Sequence, residues 1–441
     1  MNKKIFKLAL IYPKAAFFGT DMELLKFWEK TKEKTGRLWS NFEVWSGFNT
    51  GLLVIAALTP KDFTIKLIDE NFEQIDFKEK YDLVAISFMT QQANRAYEIA
   101  DNFINKGSRV VLGGIHATVL PEEAKKHCNS VVIGEAEDVW PKLIEDFREN
   151  KLSPYYKSSL VDMTKSPMPR YDLLKPEYYK SAWIQTSRGC PRDCEFCAAT
   201  NVFGNKYRHK NVEQVENEIK AVKSLKNNIM IGFADDNMLV DRKYAKDIIE
   251  RIKKLNIRWF VQTDISIAKD DDLLRSLADS GCMMVFIGFE SVNKKSLQKI
   301  DKTLWKYKRY DEYKKSIEKI QSYGMGILGA FILGLDEDFN SIFKETSKFI
   351  IENHLYSAQI TVLTPLPGTQ LRKRLEKESR IFSNNWEDYS LTTVTYNPRN
   401  MTANELQRGL LDVYKTVYSN EANMDRLRYY KEIFRSKMKG Q

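Results

Sequence analysis

Three cysteines in the run Cys190-Pro-Arg-Asp-Cys194-Glu-Phe-Cys197 offer three thiolates from one short loop. Thiolates are the usual ligands of iron–sulfur clusters, and four of them ordinarily complete a four-iron, four-sulfur (4Fe-4S) cluster. A set of three leaves one iron for an exchangeable ligand that is not protein. A structural zinc site would call for a fourth Cys or His close by, commonly as CxxC pairs, and inert thiols need no clustering. The spacing therefore points to a 4Fe-4S centre with Cys190, Cys194 and Cys197 as its protein ligands. Five cysteines, three of them in one motif, make no disulfide framework, and thiolates on iron need a reducing compartment. The expectation is an oxygen-sensitive, cytoplasmic protein. Cys128 and Cys282 read as small buried hydrophobes.

The elements that must hold this loop are legible in the hydrophobic pattern. Short apolar runs at 182–186, 229–233, 259–263, 284–288, 327–333 and 359–363 alternate with helical stretches. Six such strands fit a partial (β/α) barrel, in which chemistry collects at the C-terminal strand ends. Polar residues stand there: Asp235, Asp236 and Asn237, then Gln262 and Asp264, then Glu290. One strand-end carboxylate is ordinarily a cap or a surface charge; repetition at successive strands points to a bound cofactor. The glycine-rich run 324–334 is too apolar for a phosphate loop and reads as a buried strand that lets a ligand approach closely. The run 363–369, opening on Leu363, closes the barrel.

Upstream, candidate strands at 8–12, 64–68, 83–88, 109–112 and 130–133 alternate with helical stretches at 51–58, 92–104 and 137–147. That alternation predicts a doubly wound parallel sheet, which binds ligands at the carboxyl ends of its strands. Two loops follow adjacent strands there. One starts at Gly113 and Gly114, passes His116 and Thr118 and enters a helix through Pro121; the other starts at Gly134 and Glu135. Their glycines allow close approach of a large ligand to the backbone. A lone histidine in such a turn is more often a hydrogen-bonding residue than a ligand.

The CxxxCxxC spacing, with Phe196 just before the third cysteine, resembles the radical S-adenosylmethionine (radical SAM) superfamily, and the two N-terminal loops resemble its cobalamin-binding class. The Phe203-Gly204 pair, Gly288-Phe-Glu-Ser291, and Trp386-Glu-Asp-Tyr389 followed by 397–406 resemble the branch holding hopanoid methylases and oxygen-independent porphyrin-ring cyclases. The likeness covers residues 1 to about 410. It implies S-adenosylmethionine on the free iron, with Phe196 beside the adenine, Asp235, Asp236 and Asn237 toward the methionine ammonium, Glu290 toward the ribose, and Gln262, Asp264 and Leu363 completing the site. It implies cobalamin against Ser87, Thr90, Gly113, Gly114, His116, Thr118, Gly134 and Glu135. The Asp-x-His-x-x-Gly run that brings a histidine to cobalt is absent. This implies cobalamin without that ligand, or a domain that has lost the cofactor. The leading expectation is a cobalamin-dependent methylase of a hydrophobic, lipid-like or natural-product small molecule, fed by a reducing electron donor such as flavodoxin or ferredoxin. The alternatives are a radical SAM cyclase, coupling or dehydrogenating enzyme, and a noncatalytic cobalamin or redox sensor.

The expected architecture is α/β: a Rossmann-like cobalamin-binding domain at 1–150, a linker at 151–180, a partial radical SAM barrel at 181–375 and a helical extension at 376–441. The 441 residues carry a formal charge of +10, with lysines spread along the length, and no appended nucleic-acid motif accompanies it. The basic and aromatic run 426–439 reads as a packed terminal helix, with peripheral membrane contact as the second reading. No apolar run reaches the ~20 residues of a membrane span.

Overall fold

A computed structural model of the chain describes residues 4–15, 21–35 and 50–439. Among these the strands form two six-stranded sheets and one two-stranded ribbon. The first sheet contains β1 (Phe6–Tyr12), β2 (Phe63–Asp69), β3 (Leu83–Ser87), β4 (Arg109–Gly113), β5 (Ser130–Ile133) and β6 (Tyr155–Lys157), ordered β2-β1-β3-β4-β5-β6. Every pairing is parallel. Its central strands read as unbroken apolar runs because helices cover both faces; Leu8–Ile11 are all fully buried. The order reverses between β1 and β3, the crevice where open α/β sheets bind ligands. The expected linker is not wholly irregular: it supplies β6, which pairs with β5 at the sheet's edge, followed by short 3-10 turns.

The second sheet begins with β7 (Ser181–Ile184). The chain then forms a ribbon in which β8 (Ser187–Arg188) pairs antiparallel with β9 (Arg208–His209), and the cysteine loop lies between them. The strands β10 (Met230–Phe233), β11 (Trp259–Thr263), β12 (Cys282–Glu290), β13 (Gly326–Leu333) and β14 (Ser357–Val362) follow in spatial order from β7, all parallel. This is the open half-barrel expected from the strand count. Trp183, Phe260, Met284 and Leu328, from β7, β11, β12 and β13, pack into one apolar cluster across β10. Gly232 makes this possible, since a Cβ there would overlap the Phe260 ring.

The extension seals the barrel's edge. Helix Ala403–Val417 starts on a capping box of Thr402 and Glu405 and lies against β14. An edge strand exposes unpaired backbone groups, and here two tyrosine hydroxyls take them. Tyr414 donates to the Ile360 carbonyl at 2.6 Å and accepts from its N–H at 3.3 Å; Tyr418 serves Ala358 at 2.8 and 3.0 Å. The terminal helix Asn420–Lys439 packs through buried Arg426 and Tyr430. The Arg426 guanidinium donates to the Leu355 carbonyl at 2.7 Å. The part of the basic run beyond Ile433 has no described side chains. Among the described residues no helix is long and apolar enough to cross a membrane.

Candidate functional site

The cysteine loop is held from three sides. At its root Gly189 has φ +88, and a Cβ there would overlap the Lys206 carbonyl, so only glycine fits. In its middle Glu195 N–H donates to the Ile300 carbonyl at 2.9 Å while Cys194 pairs with Asp301 as an isolated bridge. On the far side Leu371 N–H donates to the Glu195 carbonyl at 2.8 Å. The Arg374 guanidinium grips the Glu195 carboxylate at 2.8 and 3.1 Å and reaches Asp336 at 2.6 Å. Burial pushes the Cys194 thiol up to about 12, Cys197 to about 11, and raises Cys190. Thiols in this state ionise when a cationic centre takes them, so the loop suits iron better than free thiolate chemistry. Among the described residues no three His, Cys, Asp or Glu side chains converge for a single metal ion. A four-iron cube, with thiolates on separate corners, asks for wider spacing.

The strand-end residues divide by burial. Asp236, Gln262, Asp264, Glu290 and Phe196 keep part of their surface exposed. Asp264 accepts from Ser266 N–H and Asn237 Nδ2, both at 2.9 Å, and from Arg192 at 3.4 Å. Burial acts to raise its pKa, but these donors outweigh it and hold the carboxyl below its usual range. Glu290 follows a register shift in β12 and sits at φ +63, a costly conformation for a side chain with a Cβ. Its carboxylate pairs with Lys306 Nζ at 2.8 Å, and Lys306 also donates to the Gly288 carbonyl at 2.5 Å. A Cβ on Gly288 would overlap the Glu290 carboxylate. Among the described residues the buried oxygens of Asn237 (Oδ1) and Thr263 (Oγ1) have no partner, as befits a cradle for a polar ligand.

Two expected contacts turn inward. Asp235 is fully buried; its Oδ1 accepts from the Thr186 N–H and hydroxyl, both at 3.0 Å, and from the Ser187 N–H and hydroxyl. It braces the turn from β7 to β8. Leu363 is 1% exposed and packs in the core.

The N-terminal sheet departs further from expectation. Ser87, Gly113, Gly114, Thr118 and Gly134 form a partly exposed rim at the ends of β3, β4 and β5, suited to a broad planar ligand. Thr90, His116 and Glu135 do not face outward. His116 is fully buried, with Nδ1 3.3 Å from Thr90 Oγ1 and Nε2 3.3 Å from Glu123 Oε1. Trp386 covers it, the ring centroids 5.0 Å apart, and donates Nε1–H to the same Glu123 oxygen at 2.8 Å. Glu135 belongs to a buried ion cluster. Arg188 reaches Glu135 at 2.5 Å and Glu137 at 2.6 Å, and Arg208 reaches Glu135 at 2.6 Å. Arg188 stands two residues before Cys190, so this cluster fastens the β5 loop to the strand that delivers the cysteines. Residue types and spacing gave no sign of these pairings; the one available signal was an arginine immediately before Gly189-Cys190.

The fold and loops define a radical SAM enzyme that carries a B12-binding domain. Residues 184–350 match the model of the radical SAM superfamily, 46–144 that of the B12 binding domain, and 369–441 a domain of unknown function, DUF4070. The chain is 30% identical over 387 residues to bacteriochlorophyllide d C-12(1)-methyltransferase of Chlorobaculum tepidum, covering 85% of this chain and 84% of that one. It is 30% identical to the C-8(2)-methyltransferase of the same organism, covering 84% and 86%. Among solved structures, the radical S-adenosylmethionine methyltransferase TsrM from Kitasatospora setae, with cobalamin and a 4Fe-4S cluster bound, superposes with a TM-score of 0.67 at 13% identity, covering 93% of this chain and 89% of that one; this likeness is one of fold. The chain belongs to the B12-binding radical SAM family, alongside the class B methylases.

Proposed function

We propose that the protein is a cobalamin-dependent radical SAM methyltransferase acting on an unactivated carbon of an apolar or amphipathic small molecule. The observation that carries this reading is the Arg188, Arg208, Glu135 and Glu137 cluster, which joins the glycine-lined rim of the first sheet to the root of the cysteine loop. Methyl transfer through two cofactors needs them side by side. When bound, the iron–sulfur cluster supplies the electron that cleaves S-adenosylmethionine and the corrinoid supplies a methyl carrier.

In this reading Cys190, Cys194 and Cys197 hold the cluster. Asp236, Asn237, Gln262, Asp264 and Glu290 orient S-adenosylmethionine at the strand ends, with Phe196 against the adenine. Lys306 pairs with the Glu290 carboxylate and holds it in place. Ser87, Gly113, Gly114, Thr118 and Gly134 receive the corrinoid. The apolar cluster of Trp183, Phe260, Met284 and Leu328 keeps the inner barrel dry beneath the site, which protects a carbon radical from side reactions. The two relatives named as bacteriochlorophyllide methyltransferases make tetrapyrroles the first substrates to try.

The test is anaerobic reconstitution of protein from cobalamin-replete cells, followed by dithionite-driven turnover. The expected result is a bound corrinoid spectrum, 5'-deoxyadenosine, and a substrate mass increase of one methylene on a tetrapyrrole or lipid. S-adenosylmethionine cleavage without bound corrinoid would instead support cyclisation or coupling. Absence of cleavage by cluster-replete protein would leave a binding module.

A further inference from the structure

A second feature lies beside the cysteine loop, and apart from Lys306 its residues have no part in the chemistry above. Residues 294–309 hold seven basic side chains and a single carboxylate, Asp301. That carboxylate is 6% exposed and shapes the local turn, its Oδ1 accepting from Thr303 N–H at 2.9 Å and Trp305 N–H at 3.1 Å. The surface of the segment is therefore positive. Lys295, Lys299, Lys302 and Lys308 are exposed. Lys299 and Lys302 meet Glu337 at 2.5 Å and Asp193 at 3.1 Å, pairs whose members are all more than a third exposed. Such pairs hold little free energy and exchange partners readily.

The position matters as much as the charge. Ile300 and Asp301 are the residues whose backbone pairs with Glu195 and Cys194, so Lys302 follows directly on the support of a cluster cysteine. Two guanidinium groups lie over the Trp305 ring, Arg192 from the cysteine loop at 4.0 Å and Arg309 at 4.1 Å. A polarisable ring thus links the basic surface to the loop.

We propose that this lysine-rich face is the docking surface for an acidic electron-carrier protein bearing a low-potential flavin or iron–sulfur centre. The inference rests on the cluster-bearing reading above. One electron passes from the reduced carrier to the oxidised cluster; the carrier is oxidised by one electron, the cluster is reduced by one, and no bond forms or breaks. Opposite charges on two proteins raise association rates and fix orientation, and here they would bring the carrier to the segment that pairs with the cysteine loop.

The test uses the reconstituted holoenzyme and the triple variant Lys295→Glu, Lys302→Glu, Lys308→Glu, with reduced flavodoxin as the probe. Binding is measured by titration calorimetry at low and high salt, and cluster reduction by stopped-flow absorbance. The expected result is a roughly tenfold or greater loss of affinity and of flavodoxin-driven reduction rate, with a shallower salt dependence. Reduction by dithionite, which needs no docking, stays unchanged. A control variant on another face, Lys253→Glu with Lys254→Glu, retains wild-type binding. Unchanged flavodoxin affinity in the triple variant, or equal loss in the control, would overturn the proposal. So would single-stranded RNA binding that is tighter than flavodoxin binding and lost in the same triple variant, since the face would then serve nucleic acid. If charge reversal lowers iron content, Lys295→Gln, Lys302→Gln, Lys308→Gln replaces it with the same expectations. Dithionite-driven S-adenosylmethionine cleavage reports on the enzymatic reading separately, so failure of docking and failure of that reading are distinguishable.

Discussion

The two sheets end differently at their carboxyl edges. At the half-barrel's edge Asp236, Gln262, Asp264 and Glu290 stay partly exposed, while at the first sheet's edge Thr90, His116 and Glu135 are buried under groups from elsewhere in the chain. Glu135 is taken by Arg188 and Arg208, and His116 is shut beneath Trp386. One edge leaves most of its polar groups partly exposed, and the other commits Glu135 to arginines of the second domain and closes His116 beneath Trp386. A polar residue at a strand end has two outlets, and the choice is made by what packs over it.

The largest test of this contrast lies in the cysteines. Cys194→Ala should abolish cluster binding and Cys282→Ala should keep it, as read by iron content after anaerobic reconstitution; equal iron in the two variants would sink the assignment. Next comes the junction itself. Arg188→Ala leaves Glu135 and Glu137 buried with less compensation, and losing one partner of a buried pair typically costs about 3–5 kcal/mol. Urea denaturation should show a loss of that order, and a change below about 1 kcal/mol would mean that the cluster holds nothing together.

A pH profile sharpens the reading of Asp235. Burial raises its pKa from 3.8 to about 7. The folded state therefore binds a proton that the unfolded state releases between about pH 4 and 7, and stability falls as pH rises through that window. Asp235→Asn should flatten this fall in the midpoint of urea unfolding; an identical slope in both proteins would show that Asp235 is not the group responsible. The smallest expected effect is at the other edge. Trp386→Phe removes one hydrogen bond to Glu123 and should cost about 1 kcal/mol, with iron content unchanged. Loss of the cluster in this variant would show that the two edges are not separable.

Much of this was legible in residue order. The half-barrel strands were found within about two residues because parallel strands covered on both faces are apolar throughout, as in Met284 and Val285 of β12, which face opposite sides of the sheet. The cysteine loop declared itself by spacing alone. Three-residue β6 did not, since Tyr155–Lys157 carries no periodicity to detect. Nor did the ion cluster: Glu135 and Arg208 lie 73 residues apart, and no local pattern says which distant arginine a strand-end glutamate will meet. The left-handed conformation of Glu290 was equally hidden, being imposed by a register shift and by the neighbouring Gly288 rather than by its own chemistry.

The extension's reach toward the first domain has a consequence for how the chain is made. Glu123 waits for Trp386, Asp21 for Gln407, and Trp28 for Tyr414. A ribosome emits residues in order at about 5–20 per second, so the earliest-made surfaces are covered last. During synthesis the N-terminal domain emerges with an uncovered flank, and it reaches its final form once the last helices have left the exit tunnel. Nascent chains stalled before residue 386 should therefore be clipped by protease within the first domain faster than released protein, and full-length chains stalled on an appended linker that carries residue 418 clear of the tunnel should not.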